Sequence, residues 1–268
     1  MKPEGITLPK LNYSEIAEEI YSFIRKYIEE AHAAGAVIGL SGGVDSSLAV
    51  TLCVKSLGKE RVLGVLLPTD FTPKEDMEDA QKLADWLGIK TEYLNIQGVC
   101  GRIFKDLRID KNDPEKKIPM ANIYARIRMM IIYYYANVNN FLVVGSSDKS
   151  EALIGFFTKY GDGGADFLPS VHLYKTQVRE LAKHLGVPDR IAYKPSSPQL
   201  YPGHKATDEI PIDYDELDPV LVGIFDLKLQ PKEVSRLTHI PLETIEEVIH
   251  RFNTSKHKRE FPPTIKGL

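Results

Sequence analysis

The stretch Ser41-Gly42-Gly43-Val44-Asp45-Ser46-Ser47 places two glycines, three hydroxyls and one carboxylate between the apolar run Ala36-Val37-Ile38-Gly39-Leu40 and the helix-like Leu48-Ala49-Val50-Thr51-Leu52. A strand, a glycine turn and a helix in that order let backbone N–H groups approach an anion with no Cβ in the way. The helix opening at Ser46 aims its partial positive end at the same point. Polyphosphate is the natural guest. Asp45 adds a carboxylate where an anion should sit, which makes sense only with a divalent cation between carboxylate and phosphates. The loop therefore points to Mg-ATP. It lacks the G-x-x-x-x-G-K-[ST] spacing of a Walker A loop and is not G-x-G-x-x-G; the plain alternative, a glycine turn joining strand to helix, has no use for the aspartate and hydroxyls.

A second stretch, Gly155-Phe156-Phe157-Thr158-Lys159-Tyr160-Gly161-Asp162-Gly163-Gly164-Ala165-Asp166, suits neither helix nor strand. Glu151 opens an expected helix after the run Phe141 to Val144, on the rim that Asp45 should share, so Asp45 and Glu151 form a candidate Mg2+ pair. Lys159 and Lys175 are mobile point charges suited to phosphate or to a developing anion. Arg126 and Arg128 lie about 200° apart around a helix and cannot both serve one ligand directly; Arg126 is taken as the ligand contact. His257-Lys258-Arg259 is a small basic cluster that composition alone reads as a solvated tail.

The elements that must position these residues alternate. Ile16, Ile20, Phe23, Tyr27, Ile28 and Ala31 recur at helical spacing. Arg61 to Leu67 reads as a strand, and Thr72-Pro73-Lys74-Glu75 as an N-cap, a proline at N1 and a Glu at N3 of a helix reaching about Leu87. Thr91 to Ile96 and Phe141 to Val144 are further strands, separated by a long helix from about Ile118 to Val138. Such alternation with near-continuous apolar strands gives an α/β fold: a Rossmann-like open parallel β-sheet with helices on both faces and ligands at the carboxyl ends of its strands. Short helices follow at about 175–184, 215–226, 232–237 and 242–252. Pro195 to Asp213, with four prolines, reads as a long loop and a candidate lid. No domain boundary is visible, so one domain over 1–268 is expected.

The first loop resembles the SGGxDS loop of the ATP pyrophosphatase (PP-loop) superfamily, whose fold is adenine nucleotide α-hydrolase-like and whose members cleave ATP between its α and β phosphates to activate a substrate as its adenylate. Gly155 to Asp166 narrows this, because it resembles the GFFTKxGDGGAD signature of ammonia-dependent NAD synthetases. Asn122 to Met129 is similar to that family's NxxARxRM segment, Gly145 to Glu151 to its GTxxxxE segment, and His257-Lys258-Arg259 to its HKR element, so the resemblance spans nearly the whole chain. It implies ATP-dependent amidation of deamido-NAD by ammonia, through an adenylated carboxylate, to NAD, AMP and pyrophosphate. Around ATP it implies Gly39, Leu40, Ser41, Gly42, Gly43, Val44, Asp45 and Ser46, with Ser146, Lys175 and Ser197. Around deamido-NAD it implies Arg126, Lys159, Asp166, His257 and Lys258, with Asp166 also orienting incoming ammonia, so that Asp45, Lys175 and Asp166 are the expected catalytic set. The resemblance further implies a homodimer. Two departures stand out: Ser146 replaces the family's usual Thr, and Lys194-Pro195-Ser196-Ser197-Pro198-Gln199-Leu200 replaces KxPTADL, so Gln199 stands where the family has an acid.

Composition bounds these readings. The chain has 268 residues, 43% hydrophobic and 26% charged, with a formal net charge of -3, ordinary for a globular protein and without the basic balance of a nucleic-acid binder. Cys53 and Cys100 have no metal-ligand spacing and read as core thiols of a reducing compartment. No apolar stretch approaches membrane-spanning length, and the N-terminus carries Lys2, Glu4 and Lys10, so a cytoplasmic protein with no membrane partner is expected. The length leaves no room for a glutamine amidase domain, so ammonia is free or delivered by another chain. The rival reading is another PP-loop adenylating ligase, such as a GMP synthetase ATPase subunit, whose loop can also read SGGVDSS but which lacks the 155–166 signature.

Overall fold

The apolar runs after residues 34 and 61 become the two inner strands of a parallel sheet. In the computed structural model, which describes residues 5–110 and 112–265, the strands are β1 (Gly35–Gly39), β2 (Val62–Leu66), β3 (Lys90–Tyr93) and β4 (Phe141–Val143), hydrogen-bonded in the order β3-β2-β1-β4. All pairings are parallel, with Val37 opposite Leu63 on one side of β1 and opposite Val143 on the other. Lys2, Glu4 and the rest of residues 1–4, 111 and 266–268 of the expected single domain lie outside the described residues.

Both faces of the inner strands are buried, and alternate residues feed two cores. Ala36, Ile38, Val62 and Leu66 pack against α1 (Tyr13–Glu30), α2 (Val44–Leu57), α3 (Lys74–Leu87) and α7 (Lys175–His184). Val37, Leu63, Val65 and Val143 pack against α4 (Gln97–Asp106) and α5 (Lys117–Asn139). Fully buried Ile24, Ile28, Leu48 and Leu52 each contribute about 1.5–3 kcal/mol of transfer free energy. A third core is helical: α9 (Tyr214–Leu221) with its π-turn at Val222–Asp226, α10 (Pro231–Thr238) and α11 (Leu242–Thr254), joined by Ile154 from α6 (Lys149–Ile154). The short α8 (Asp189–Ala192) and α12 (Lys256–Arg259) complete the described α-helices.

Two local expectations are corrected. The third strand ends at Tyr93 rather than Ile96, because Asn95 turns its side chain to accept from the N–H of Gln97 at 2.8 Å and starts α4. Thr72 does not cap α3. Its hydroxyl closes the preceding turn by accepting from the N–H of Thr69 at 2.9 Å, and α3 starts at Lys74 with Pro73 at the N-cap.

The strand order sets where ligands go. The chain steps from β1 to β2 and β3 on one side, whereas β4 lies on the other side of β1. The order reverses between β1 and β4, and a crevice opens at the carboxyl ends there. The loop after β1 is Ser41 to Gly43; the loop after β4 leads to Asp148 and Glu151.

Candidate active site

A cavity of about 460 Å3 occupies this switch point. Its floor is the strand ends at Gly39, Val65 and Val143, and its walls include Ser41, Asp45, Ser146, Glu151 and Ser197. Gly42 is held at φ +78° and presses so close to α3 that a Cβ would stand 2.1 Å from the carbonyl oxygen of Asp76. Gly43 caps α2 without a side-chain hydrogen bond, so the first-turn N–H groups of α2 remain open to an anion. Gly43 and Val44 face a second, outer cavity of about 720 Å3 on the far side of the loop.

Beside the loop lies a cluster of charges. The Lys175 ammonium, fully buried at the start of α7, stands 2.7 Å from Asp45 Oδ2, 2.7 Å from Asp148 Oδ2 and 2.9 Å from Glu151 Oε1. One cation therefore serves three carboxylates. Burial pushes the Asp148 carboxyl up to about 6 and the Glu151 carboxyl well above its usual range, with the Lys175 charge opposing both. The same carboxylates hold Lys175 protonated well above the ordinary lysine value despite its desolvation. Asp45 Oδ1 is buried with no hydrogen-bond partner among the described residues.

The elements around the cluster hold it rigidly. Asp148 caps α6, Oδ1 accepting from the N–H of Glu151 at 2.8 Å. Asp218 of α9, fully buried, accepts from Ser150 Oγ at 2.5 Å and from the N–H and hydroxyl of Thr176 at 2.9 and 2.7 Å, while Ser150 Oγ accepts from the N–H of Lys175. α6, α7 and α9 are thereby tied together where Lys175 emerges. Sequence reading passed over Asp148 and Asp218. Asp148 carried a visible signal, an N-cap residue three before Glu151, although Glu151 turns to Lys175 rather than back to its cap.

The 155–166 segment folds on Thr158. Its N–H donates to Asp162 Oδ1 at 3.0 Å, its hydroxyl to Asn122 Oδ1 at 2.7 Å, and its carbonyl accepts from Gly161 and Gly163. Gly161 and Gly163 let the loop press on Ala125 and on the ring of Phe157, where a Cβ would stand 2.9 and 2.6 Å away. The basic cluster after α11 stitches this loop down. Lys258 donates to the carbonyls of Gly155 and Phe157 at 2.7 and 2.8 Å, Lys159 to the carbonyl of His257 at 2.6 Å, and Arg259 to the last carbonyls of α6. Gly155, at φ +66°, lies where a Cβ would stand 2.2 Å from Ser255 Cβ. Gly155→Ala is expected to cost about 2 kcal/mol or more, from left-handed strain and displacement of α12, read as a lowered midpoint in thermal or urea unfolding.

The expected site residues divide accordingly. Gly39, Leu40, Ser41, Asp45, Ser46, Ser146, Glu151, Ser197 and Lys258 line the cavity, and Lys175 stands behind it, joined to Asp45 and Glu151. Arg126, Lys159, Asp166 and His257 do not line it. The Asp166 carboxylate accepts from Tyr133 Oη at 3.0 Å and from the N–H of Val143 at 2.7 Å, which ties the loop to β4 rather than offering a base to the cavity. Arg126 is exposed and donates to the Lys159 carbonyl at 3.3 Å.

The cationic residue of α5 that does line the cavity is Arg128. Its Nε donates to the Leu67 carbonyl at 3.1 Å, the one hydrogen bond of its guanidinium among the described residues, and burial lowers its pKa. The helical stripe Ile118, Ala121, Asn122, Ala125, Arg128 and Ile132 that lines the cavity would have singled it out. Asp162 also lines the cavity, its carboxyl raised by burial.

Comparison with known proteins places this geometry. The NAD synthase family model matches residues 16–262. The NH3-dependent NAD+ synthetase of Hyperthermus butylicus is 44% identical over 254 residues, covering 94% of this chain and 91% of its own length; that of Staphylothermus marinus is 45% identical over 254 residues, covering 94% and 90%. Among solved structures, the NMN synthetase of Francisella tularensis superposes with a TM-score of 0.83 at 32% identity, over 96% of this chain and 100% of that one. The NH3-dependent NAD synthetase of Campylobacter jejuni superposes with a TM-score of 0.79 at 29% identity, over the same shares.

Proposed function

The chain belongs to the NAD synthase family, and from that premise we propose how its residues divide the work of amidating deamido-NAD. The reaction is C–N bond formation: ATP and ammonia convert the nicotinate carboxylate of deamido-NAD to the amide of NAD, releasing AMP and pyrophosphate. A carboxylate is a poor electrophile, so activation comes first. The carboxylate oxygen attacks the α-phosphorus of ATP, the bond from that phosphorus to the bridging oxygen of pyrophosphate breaks, and ammonia then displaces AMP from the acyl adenylate.

The observation that carries this reading is the Lys175 cluster at the switch point. Lys175, kept protonated by three acids, supplies fixed positive charge where negative charge builds on pyrophosphate. The open N–H groups of α2 cradle phosphate oxygens, and Ser146 and Ser197 each offer a hydroxyl to ATP. Mg2+ fits Asp45 and Glu151: three carboxylates outweigh one ammonium, Asp45 Oδ1 is buried and unpartnered, and Mg2+ characteristically takes one or two carboxylates with substrate phosphates rather than a full protein cage. Bound there, it would neutralise phosphate oxygens and ease departure of pyrophosphate. Arg128 and Lys258 are the cations of the deamido-NAD side of the cavity, whereas Asp166 acts by fixing the 155–166 loop.

A homodimer completes the reading. Arg126, Met130, Tyr134 and Val138 recur every four residues on the outer side of α5, and the last three are 54–64% exposed. A second copy covering this stripe would put Arg126 at the interface, consistent with deamido-NAD spanning two subunits. Tyr134→Glu is expected to shift sedimentation from dimer to monomer and to lower activity with it; an unchanged sedimentation coefficient contradicts the assignment. No helix among the described residues is long and apolar enough to cross a membrane. Cys53 and Cys100 are free, buried thiols raised to about 12 and about 11, in keeping with a reducing cytoplasm.

A second substrate has a specific observation behind it, the likeness to an NMN synthetase. An assay of AMP release with ATP, Mg2+ and ammonium therefore needs three acceptors: deamido-NAD, its deamido mononucleotide counterpart and xanthosine monophosphate. Turnover with deamido-NAD at the highest kcat/KM is the expected result.

A further inference from the structure

Gln199 lies in the 195–213 segment, and its surroundings fit an amide there. Its Nε2 donates to Asp76 Oδ2 at 2.5 Å and to the Ser41 carbonyl at 3.3 Å. Both partners are acceptors only, so nothing but a donor fits between them. A carboxylate at 199 would meet one carboxylate and one carbonyl oxygen with no proton to share. Asp76 is mostly buried and is held from a second side by Lys194, whose ammonium lies 2.8 Å from Asp76 Oδ1 and 2.6 Å from Asp79 Oδ2. The carbonyl of the same Asp76 is the atom on which Gly42 packs. Gln199 itself sits at φ +52°, a left-handed conformation that a residue with a side chain keeps only where its surroundings over-determine it.

These contacts lie on a boundary. Ser41, Asp45, Ser196, Ser197, Gln199 and His204 line both the inner cavity and the outer one, so the 196–204 segment and the phosphate loop together form the wall between the two. The amide of Gln199 is a direct side-chain bond joining one half of that wall to the other.

We propose that Gln199 is a positioning residue for the phosphate loop: its amide pins the 195–213 segment across Ser41 and Asp76, so that the polyphosphate end of the site is closed from the outer cavity and pyrophosphate leaves only when this contact opens. The inference rests on the amidation reading for its substrate but not for its geometry. An amide–carboxylate pair can be reversed, which gives a test that loss of fold alone does not mimic. Gln199→Asp sets two carboxylates against each other, and adding Asp76→Asn restores one donor and one acceptor at that contact with the order exchanged, leaving only the Ser41 carbonyl without its donor, while Asp79 keeps Lys194 in place.

Steady-state kinetics varying ATP at saturating deamido-NAD and ammonium, with pyrophosphate as product inhibitor, read the effect. Q199D is expected to raise the KM for ATP about tenfold and to weaken pyrophosphate inhibition by a similar factor, with kcat within about threefold of wild type. The double variant D76N/Q199D is expected to recover about half of each tenfold loss on a logarithmic scale, to about threefold from wild type, because the contact to residue 76 is restored while the Ser41 carbonyl still lacks a donor. Q199A, which removes the donor without adding charge, should fall between. Unchanged ATP and pyrophosphate constants in Q199D, or a double variant no better than Q199D, overturns the proposal. Calorimetric titration of ATP into the same variants without deamido-NAD gives the same comparison should the amidation reading fail, so the two can fail separately.

Discussion

Replacing Lys175 with methionine is expected to abolish turnover and to destabilise the protein by about 3–5 kcal/mol, because the substitution leaves three carboxylates facing one another around an apolar side chain. The ammonium lies within 2.9 Å of all three acids and is wholly buried, so water cannot take its place. Loss of kcat should reach about 10³-fold, the scale of removing a fixed positive group from a developing oxyanion. The two effects separate in a second variant. Adding Asp148→Asn to Lys175→Met removes one of the stranded charges and should recover a good part of the stability, read by urea unfolding, without recovering turnover. Recovery of activity together with stability would mean that Lys175 serves the fold alone.

The opposite pattern is expected at Asp45. Asp45→Asn removes one of three like charges sharing a single cation, so the free protein should lose no stability and gain about 1 kcal/mol. Turnover should nevertheless fall about 10²–10³-fold, and the Mg2+ concentration needed for half-maximal rate should rise, because Asp45 Oδ1 is a buried oxygen with no hydrogen-bond partner among the described residues. A folded, more stable and inactive protein is the signature of a residue kept for binding at the expense of the free state. A variant with wild-type rate and wild-type Mg2+ dependence would remove Asp45 from the site.

Much of this arrangement was legible in the residues. Alternating apolar runs and helix-period segments gave the parallel sheet, and the two glycines with Asp45 marked the strand-to-helix turn where the anion-binding end of α2 lies. The Gly155 to Asp166 signature carried the family, and Lys175, at the start of its own helix, was legible as a candidate charge. What stayed hidden depended on which way side chains turn once helices pack. Arg128 shares a helical stripe with Ile118, Ala121, Asn122, Ala125 and Ile132, and the seating of α5 against β1 and β4 turns that stripe inward and leaves Arg126 outside. Asp166 lies in the motif but turns to Tyr133 and Val143, and Lys258 of the basic cluster holds loop carbonyls. Thr72 had the spacing of a cap, yet a nearer partner, the N–H of Thr69, took its hydroxyl. Asp148 showed only the spacing of a helix cap, and Asp218 had no sequence signature at all until its hydroxyl partners were assembled around it.

The central claim is that this site activates a carboxylate by transferring adenylate to it. Deamido-NAD labelled with 18O in its nicotinate carboxyl, turned over with unlabelled ATP, Mg2+ and ammonium, tests that step directly by mass spectrometry of the nucleotide product. The expected result is AMP carrying one 18O atom in its phosphate, because the carboxyl oxygen that attacked the α-phosphorus leaves with AMP when ammonia displaces it. Unlabelled AMP, or ADP and phosphate in place of AMP and pyrophosphate, would contradict it.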